Sequence, residues 1–329
     1  MMNVSDFHSG ASDRARSCPA GSSLGERVQM DRSVPITWLG QHDCHDARLS
    51  GGKAAALSRL AERYSVPPGF CLTSSALHGI APPISIPGRL RAAVVDAYAT
   101  LAREVSAVAV RSSAVDEDGA LTSFAGVHET FLNVRGDGAL LMAIERCLES
   151  FFSPRALAYR HERGAFDAVR MAVLVQQQIV SDVSIVAFSA NPVTAARDEI
   201  VVTASWGLGE SLVGGTVTPD TWWVRRDGRV EAERIGDKRR MTVTTLDGCR
   251  EVDVPRMMRK LPSLSAEQVR EVVQLAVQLE QHQGRPVDIE CAYSGGRLYL
   301  LQCRPITTLR SARDRAGPAP PEQESSTSF

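Results

Sequence analysis

The chain has 329 residues, of which 43% are hydrophobic and 23% are charged, and its formal net charge at pH 7 is -1. A chain of this length can bury one large domain or two lobes, and its composition is that of an ordinary soluble protein. A net charge so close to zero provides no basic surface for nucleic acid or for an anionic membrane.

The distribution of cysteines and apolar residues predicts a cytoplasmic protein. The seven cysteines are odd in number and scattered, with no CxxC pair, which is typical of a reducing compartment. The N-terminal segment lacks the apolar region of a signal peptide, and no stretch of about 18 apolar residues could span a membrane. Residues 1–33 and 310–329 are rich in small and polar residues without periodicity, and we expect both to be disordered.

The first predicted elements carry two basic residues. The segment GGKAAALSRLAE is typical of a loop that leads into a helix, with Lys53 at its start. The run SAVAVRSSA predicts a strand that carries Arg111, and the polar segment VDEDGALTSFAG after it predicts a flexible cover. An exposed lysine needs no function, so Lys53 alone favours a solvated helix start. An arginine within an apolar strand favours a functional role.

The middle of the chain predicts further strands, a hairpin and a long helix. The runs MAVLVQQQIV, SIVAFSANPV and EIVVTASWGLG each resemble a strand bounded by turn-forming residues. A hairpin is predicted with its turn at Asp227 and Gly228. The best-defined helix begins with a capping box formed by Ser265 and Gln268 and ends at Gly284. Strands and helices therefore alternate, which predicts an α/β or α+β fold.

The last predicted hairpin has the sequence GRPVDIECAYSGGRLYLLQCRPI, and it places polar residues in two apolar strands. Side chains two residues apart share a face, so Asp288 lies with Glu290, and Gln302 lies with Arg304. An odd-length turn that pairs Glu290 with Gln302 would bring all four together, whereas a strict two-residue turn would separate the pairs. Together they would suit Mg²⁺ and a polyphosphate; a simply hydrated polar face is the alternative.

Seven motifs in order resemble one known family. They are GGKAA, VRSSA with SFAG, VLVQQ, ANPVT, ASWGLGE, DIE and LLQCRPI. This order resembles the ATP-binding domain, of the ATP-grasp fold, that phosphoenolpyruvate synthase, pyruvate phosphate dikinase and rifampin phosphotransferase share. The resemblance implies two lobes with mixed or antiparallel sheets, at residues 34–168 and 169–309, with the nucleotide cleft between them.

The resemblance also implies roles for individual residues in binding Mg-ATP. Lys53, Arg111 and Arg304 would contact the phosphates and form the catalytic set, since lysine and arginine offset polyphosphate charge. Glu290 and Gln302 would be the Mg²⁺ ligands, and Asp288 would orient the metal site or its water. These assignments explain why a hairpin would carry acids, an amide and a guanidinium.

Other family positions surround the nucleotide. Ser123, Gly126 and Thr130 match a small-residue loop whose backbone covers the phosphates, although an ordinary surface loop would have the same composition. The backbone from Gln176 to Ile179 matches the segment that contacts adenine, and Glu210 matches a position near the ribose. Buried polar strand ends are the alternative explanation for these last two matches.

The function implied by the resemblance is phosphoryl transfer to a separate protein. Family members pass phosphate through a histidine on a mobile domain to an acceptor on a further domain, and neither domain is recognisable in this sequence. We therefore expect a stand-alone subunit that transfers a phosphoryl or pyrophosphoryl group from ATP to a carrier histidine on a partner protein and releases AMP. Two alternatives stay open: a self-contained kinase or ligase that acts on a small molecule, and a regulatory ATP-binding module without turnover.

Overall fold

The computed structural model describes residues 35–114, 130–154, 171–246, 248–307 and 309. Its strands are β1 Ile36–Trp38, β2 Gly69–Leu72, β3 Val108–Ala114, β4 Thr130–Val134, β5 Met171–Gln177, β6 Val183–Phe188, β7 Glu199–Trp206, β8 Asp220–Arg225, β9 Val230–Arg234, β10 Arg240–Thr245, β11 Gly248–Asp253, β12 Val287–Ser294 and β13 Arg297–Pro305. Its α-helices are α1 Ala47–Leu60, α2 Ser74–Leu77, α3 Gly88–Leu101, α4 Asp137–Phe151, α5 Glu210–Val213 and α6 Ala266–Gln283; a short 3-10 helix spans His42–His45. The expected disordered tails lie outside the described residues.

The described strands form two antiparallel sheets and a separate two-stranded ribbon. The first sheet has the order β1-β2-β5-β3-β4, the second has the order β13-β12-β6-β7-β8-β9, and β10 pairs with β11 in the ribbon. The mixed α/β fold with two sheets is thus as predicted. β5 pairs with β2 and β3 of the first sheet, so the two sheets divide after Gln177, and the lobe boundary at 168/169 stays a prediction. Hydrogen bonding between strands distant in sequence, and not chain order, assigns β5 to its sheet.

Alternating side chains bury both faces of the first sheet and the helix-covered face of the second. On β3, Val108 and Val110 point into a core formed with α3 and α4. On the opposite face of the first sheet, Leu174 of β5 packs with Leu57 of α1. In the second sheet, Ile289 packs against α6. Because the side chains on β12 alternate, Asp288 and Glu290 lie on the face away from α6.

Local sequence signals for the predicted hairpin and the long helix are confirmed. The Ser265 side chain accepts a hydrogen bond from the backbone of Gln268, and the Gln268 side chain accepts one from the backbone of Ser265, which completes the capping box. Gly284 ends α6 in the left-handed conformation. Strands β8 and β9 form the predicted hairpin, with Gly228 at a φ of 88°. These features depend on neighbouring residues only, which is why the sequence predicts them.

A buried ion pair holds the chain that leads from the second sheet to the ribbon. Asp220 at the start of β8 and Lys238 just before β10 are both fully buried, and Lys238 Nζ lies 2.5 Å from Asp220 Oδ1. The other carboxylate oxygen of Asp220 accepts hydrogen bonds from the backbone and side chain of Ser263. Each buried charge is therefore paired and hydrogen-bonded, as burial requires.

Among the described residues, no helix combines the length and apolarity needed to cross a bilayer.

Candidate nucleotide site

Lys53 lies just after a kink in α1, at the point where this helix contacts β3. Gly51 has a φ of 76° within the helix, so the predicted loop before the helix is a single non-helical residue between two helical segments. The backbone N–H of Ala54 donates to Ser113 Oγ at 3.1 Å, which caps the second segment. Lys53 Nζ donates to the Ser112 carbonyl at 3.1 Å. Lys53 is therefore held next to Arg111 on the neighbouring strand.

Gly51 allows the helix to approach β3 this closely. A Cβ at this position would lie 2.1 Å from the Ser113 carbonyl oxygen and 2.3 Å from Ser113 Oγ. We expect Gly51→Ala to lower the free energy of unfolding by about 1–3 kcal/mol, since overpacking and a positive φ both penalise the added methyl. Urea unfolding measures the loss. Gly138→Ala in α4, where an added Cβ meets nothing within 4 Å, is the matched control, and equal losses at both positions would contradict the prediction.

Arg111 joins the two sheets. It lies on β3, yet its guanidinium contacts the last hairpin: one terminal nitrogen donates to the Leu301 carbonyl at 2.8 Å. The other lies 3.0 Å from Gln302 Oε1 and 3.5 Å from Glu290 Oε2. The Arg111 side chain is only 12% exposed, and its Nε is buried without a hydrogen-bond partner among the described residues. A buried, incompletely paired guanidinium between two sheets is typical of a binding site rather than of packing.

Of the two turns left open by the sequence, the hairpin has the two-residue turn, yet Glu290 still pairs with Gln302. Ser294 pairs with Arg297, so only Gly295 and Gly296 form the turn. Between the pairs Glu290–Gln302 and Cys291–Leu300 the register shifts by one residue, and Leu301 is the extra one. This β-bulge puts Glu290 and Gln302 on one face despite the two-residue turn. It also leaves the Leu301 carbonyl available to Arg111.

The four polar residues of the hairpin form two contacting pairs. Gln302 Nε2 donates to Glu290 Oε1 at 3.1 Å. Arg304 Nε and a terminal nitrogen each lie 2.7 Å from Asp288 Oδ2. Burial raises the pKa of Asp288, whose side chain is 8% exposed, and the Arg304 charge offsets this only in part. Arg304 is 48% exposed, so its guanidinium can reach a ligand in solution.

The remaining predicted residues differ in how close they lie to Arg111 and Glu290. Thr130, at the start of β4, is the cross-strand partner of Arg111 and so lies beside it. Gly209, the residue before Glu210, lies close to Ser184: a Cβ on Gly209 would lie 3.7 Å from the Ser184 side chain. The Ser184 side chain is on the same face of the second sheet as Glu290. Glu210 is exposed, and partial desolvation raises the pKa of its carboxyl. Ser123 and Gly126 lie outside the described residues.

The segment from Gln176 to Ile179 is largely occupied by contacts within the protein. Gln176 is buried and its side-chain amide donates to the Pro67 carbonyl at 3.0 Å. The Ile179 carbonyl accepts from the side chain of Gln178 at 2.9 Å. The Oε1 atom of Gln178 is buried without a hydrogen-bond partner among the described residues. The Gln176 side chain therefore has a structural contact, and the contact of this backbone with adenine stays a prediction.

The oxygen atoms near Arg111 suit a hard cation. Glu290 and Gln302 direct carboxylate and amide oxygens at the same guanidinium nitrogen, which shows that these oxygens converge on one positive group. Within the described ranges, no three His, Cys, Asp or Glu side chains group as a metal site. Mg²⁺ does not require such a group, because one or two protein ligands and substrate phosphates commonly hold it. The residues present therefore fit Mg²⁺ bound together with a nucleotide.

Residues 80–325 match the family model described as the pyruvate phosphate dikinase AMP/ATP-binding domain. A probable phosphoenolpyruvate synthase of Methanocaldococcus jannaschii is 33% identical over 84% of this chain and 27% of that protein. A rifampicin phosphotransferase of Streptomyces sviceus is 38% identical over 82% of this chain and 36% of that protein. An uncharacterized phosphotransferase of Bacillus subtilis is 34% identical over 80% of this chain and 34% of that protein.

This chain spans less than half of the length of each of these relatives. A solved acetyl-coenzyme A synthetase chain of Ca. Korarchaeum cryptofilum has a TM-score of 0.33 at 11% identity, over 62% of this chain and 78% of that one. That similarity is too low to support an inference. The match to the family model and the matches to the curated relatives cover most of the chain, and the chain therefore belongs to the family of pyruvate phosphate dikinase AMP/ATP-binding domains.

Proposed function

We propose that the chain binds Mg-ATP between its two sheets and transfers the terminal pyrophosphoryl group to a carrier histidine on a separate protein, with release of AMP. The observation that carries this proposal is the contact of Arg111 with Glu290, Gln302 and the Leu301 carbonyl across the two sheets. It gathers cations and oxygen ligands from distant segments into one place, as a metal-bound polyphosphate requires. The names of the relatives support phosphoryl transfer as the reaction class.

The residues of the first sheet would bind and orient the polyphosphate. Lys53 would act as a point charge on the phosphates, and Arg111 would exchange its oxygen partners on the second sheet for phosphate oxygens. Thr130, Ser123 and Gly126 would contact the same phosphates. Charge stabilisation and positioning are the main contributions that proteins make to phosphoryl transfer.

The residues of the second sheet would hold the metal and complete the site. Glu290 and Gln302 would be protein ligands of Mg²⁺, which when bound neutralises charge that develops on the phosphates. Asp288 would keep Arg304 oriented towards a phosphate. The backbone from Gln176 to Ile179 would contact adenine and Glu210 would contact the ribose. A carrier-histidine nitrogen would then bond to the β-phosphorus while the bond from this phosphorus to the α–β bridging oxygen breaks, and AMP leaves with that oxygen.

The nucleotide product tests this reaction. The full chain is incubated with Mg²⁺ and ATP labelled at the γ-phosphate, together with candidate proteins that contain a phosphocarrier histidine. We expect label on the carrier and one AMP for each carrier modified, and none of either when the carrier histidine is replaced by alanine. ADP formed without carrier would instead indicate a self-contained kinase or ligase. ATP binding without any turnover would indicate a regulatory module.

A further inference from the structure

The β10–β11 ribbon is attached to the second sheet beside Glu210. The Leu208 N–H donates to the Thr242 carbonyl of β10 at 2.8 Å. A Cβ on Gly207 would lie 2.4 Å from the same carbonyl oxygen, so only glycine permits this approach. On β11, desolvation and the nearby Glu210 charge raise the pKa of the Cys249 thiol to about 11. Thr242 and Cys249 of the ribbon therefore lie close to the segment that carries Glu210.

The far end of the ribbon is attached to the first sheet through Asn133. The side-chain amide of Asn133 donates to the Thr245 carbonyl at 2.7 Å and to the Gly248 carbonyl at 2.7 Å. These two residues pair at the end of the ribbon, so both hydrogens of one amide hold the ribbon at its turn. Asn133 is 6% exposed, so the donor side of both hydrogen bonds is buried.

A second β-bulge directs the Asn133 side chain out of the first sheet. On β4, Phe131 pairs with Val110 and Val134 pairs with Val108, so β4 has one residue more than β3 between these pairs. Asn133 lies in this bulge with a φ of 54°, a left-handed conformation that asparagine tolerates better than most residues. Its Oδ1 accepts from Arg135 Nε at 3.0 Å. Bulges commonly redirect a side chain in this way.

The ribbon thus connects two parts of the candidate nucleotide site that belong to different sheets. Three residues before Asn133, Thr130 pairs with Arg111, and Thr242 of β10 contacts the segment that carries Glu210. We propose that Asn133 is a positioning residue that latches the ribbon across both sheets and thereby holds the nucleotide cleft closed. The latch follows from these contacts alone, whereas its effect on a nucleotide rests on the proposed function.

Hydrogen exchange of the full chain without nucleotide tests the latch. Asn133→Gly keeps the left-handed backbone and removes both donors, and Asn133→Asp keeps the side-chain shape but points a carboxylate at two carbonyls. We expect both variants to exchange the amides of residues 240–253 at least about tenfold faster, which corresponds to about 1.4 kcal/mol. The amides of β6 to β8 should be unchanged. Leu246→Ser, at an 86% exposed residue of the ribbon end, is the control and should exchange as wild type.

The release rate of a fluorescent ATP analogue tests the positioning role. We expect both Asn133 variants to release it about tenfold faster than wild type and Leu246→Ser to release it at the wild-type rate. Unchanged ribbon exchange in the Asn133 variants would overturn the latch. Faster exchange with an unchanged release rate would overturn the positioning role. If wild type fails to bind the analogue, the proposed function is overturned, and the exchange result still decides the latch.

Discussion

Arg111→Lys is expected to lower kcat/KM for carrier phosphorylation by about 10²–10³-fold, the loss seen when one preorganised charge-stabilising donor is removed. Lysine keeps the positive charge but has no planar fork. In the free protein, the Arg111 guanidinium divides its donors between the Leu301 carbonyl and the Gln302 and Glu290 side chains. A single ammonium group cannot serve the same set of acceptors, and it cannot chelate two phosphate oxygens.

The size of this effect depends on where Arg111 lies. Its side chain is 12% exposed and contacts the opposite sheet, so solvent screens its interactions weakly. Arg270→Lys is the matched control, because Arg270 lies on α6, is exposed and bonds the Ala266 carbonyl; we expect its rate to stay within about twofold of wild type. Steady-state rates over a range of ATP concentrations measure both variants. A wild-type rate for Arg111→Lys would remove Arg111 from the catalytic set.

Glu290→Gln is expected to change the binding of ATP in opposite directions with and without Mg²⁺. The substitution keeps the shape of the side chain and removes one negative charge. It should weaken Mg-ATP binding by at least about tenfold, since carboxylates are the preferred protein ligands of Mg²⁺. Metal-free ATP should bind more tightly, because a carboxylate no longer repels the triphosphate. Turnover should fall by about 10²-fold, as charge developing on the phosphates is less well neutralised.

Calorimetric titration with ATP in the presence of Mg²⁺, and again in the presence of a chelator, measures these two affinities. Glu267→Gln is the control, because Glu267 lies in the first turn of α6, on the opposite face of the second sheet from Glu290. It removes the same charge and should leave the ratio of the two affinities unchanged. If Glu290→Gln shifts both affinities in the same direction, Glu290 acts through general electrostatics, and its assignment as a metal ligand is wrong.

Much of the fold follows from local sequence patterns. The capping box of Ser265 with Gln268, the end of α6 at Gly284 and the hairpin at Asp227 and Gly228 are confirmed. These features depend on residues within a few positions of each other. The placement of β5 in the first sheet could not be predicted in the same way, because a buried apolar strand fits either sheet.

In the candidate site, too, some features follow from the sequence and others only from the tertiary structure. The motif order predicts Arg111, Glu290 and Gln302 as a group, and the structure brings these three together. Sequence reasoning missed Asn133, although an asparagine within a strand-like run is unfavourable and marks the position as unusual. It also matched the backbone from Gln176 to Ile179 to the adenine contact, which stays a prediction, and it did not predict that the Gln176 side chain donates to the Pro67 carbonyl. A polar residue in a strand does not reveal which partner its side chain finds.

The sequence by itself determined the capped helix α6, the hairpin of β8 and β9, and which polar residues alternate along the last hairpin. The tertiary structure alone decided that Glu290 and Gln302 share a face with Arg111, because a two-residue turn would have separated them without the bulge at Leu301. A bulge changes the register by one residue and leaves no local signal in an apolar strand. Arg111, which donates to the Leu301 carbonyl in this bulge, lies 190 residues earlier in the chain. Only the packing of one sheet against the other therefore selects this register.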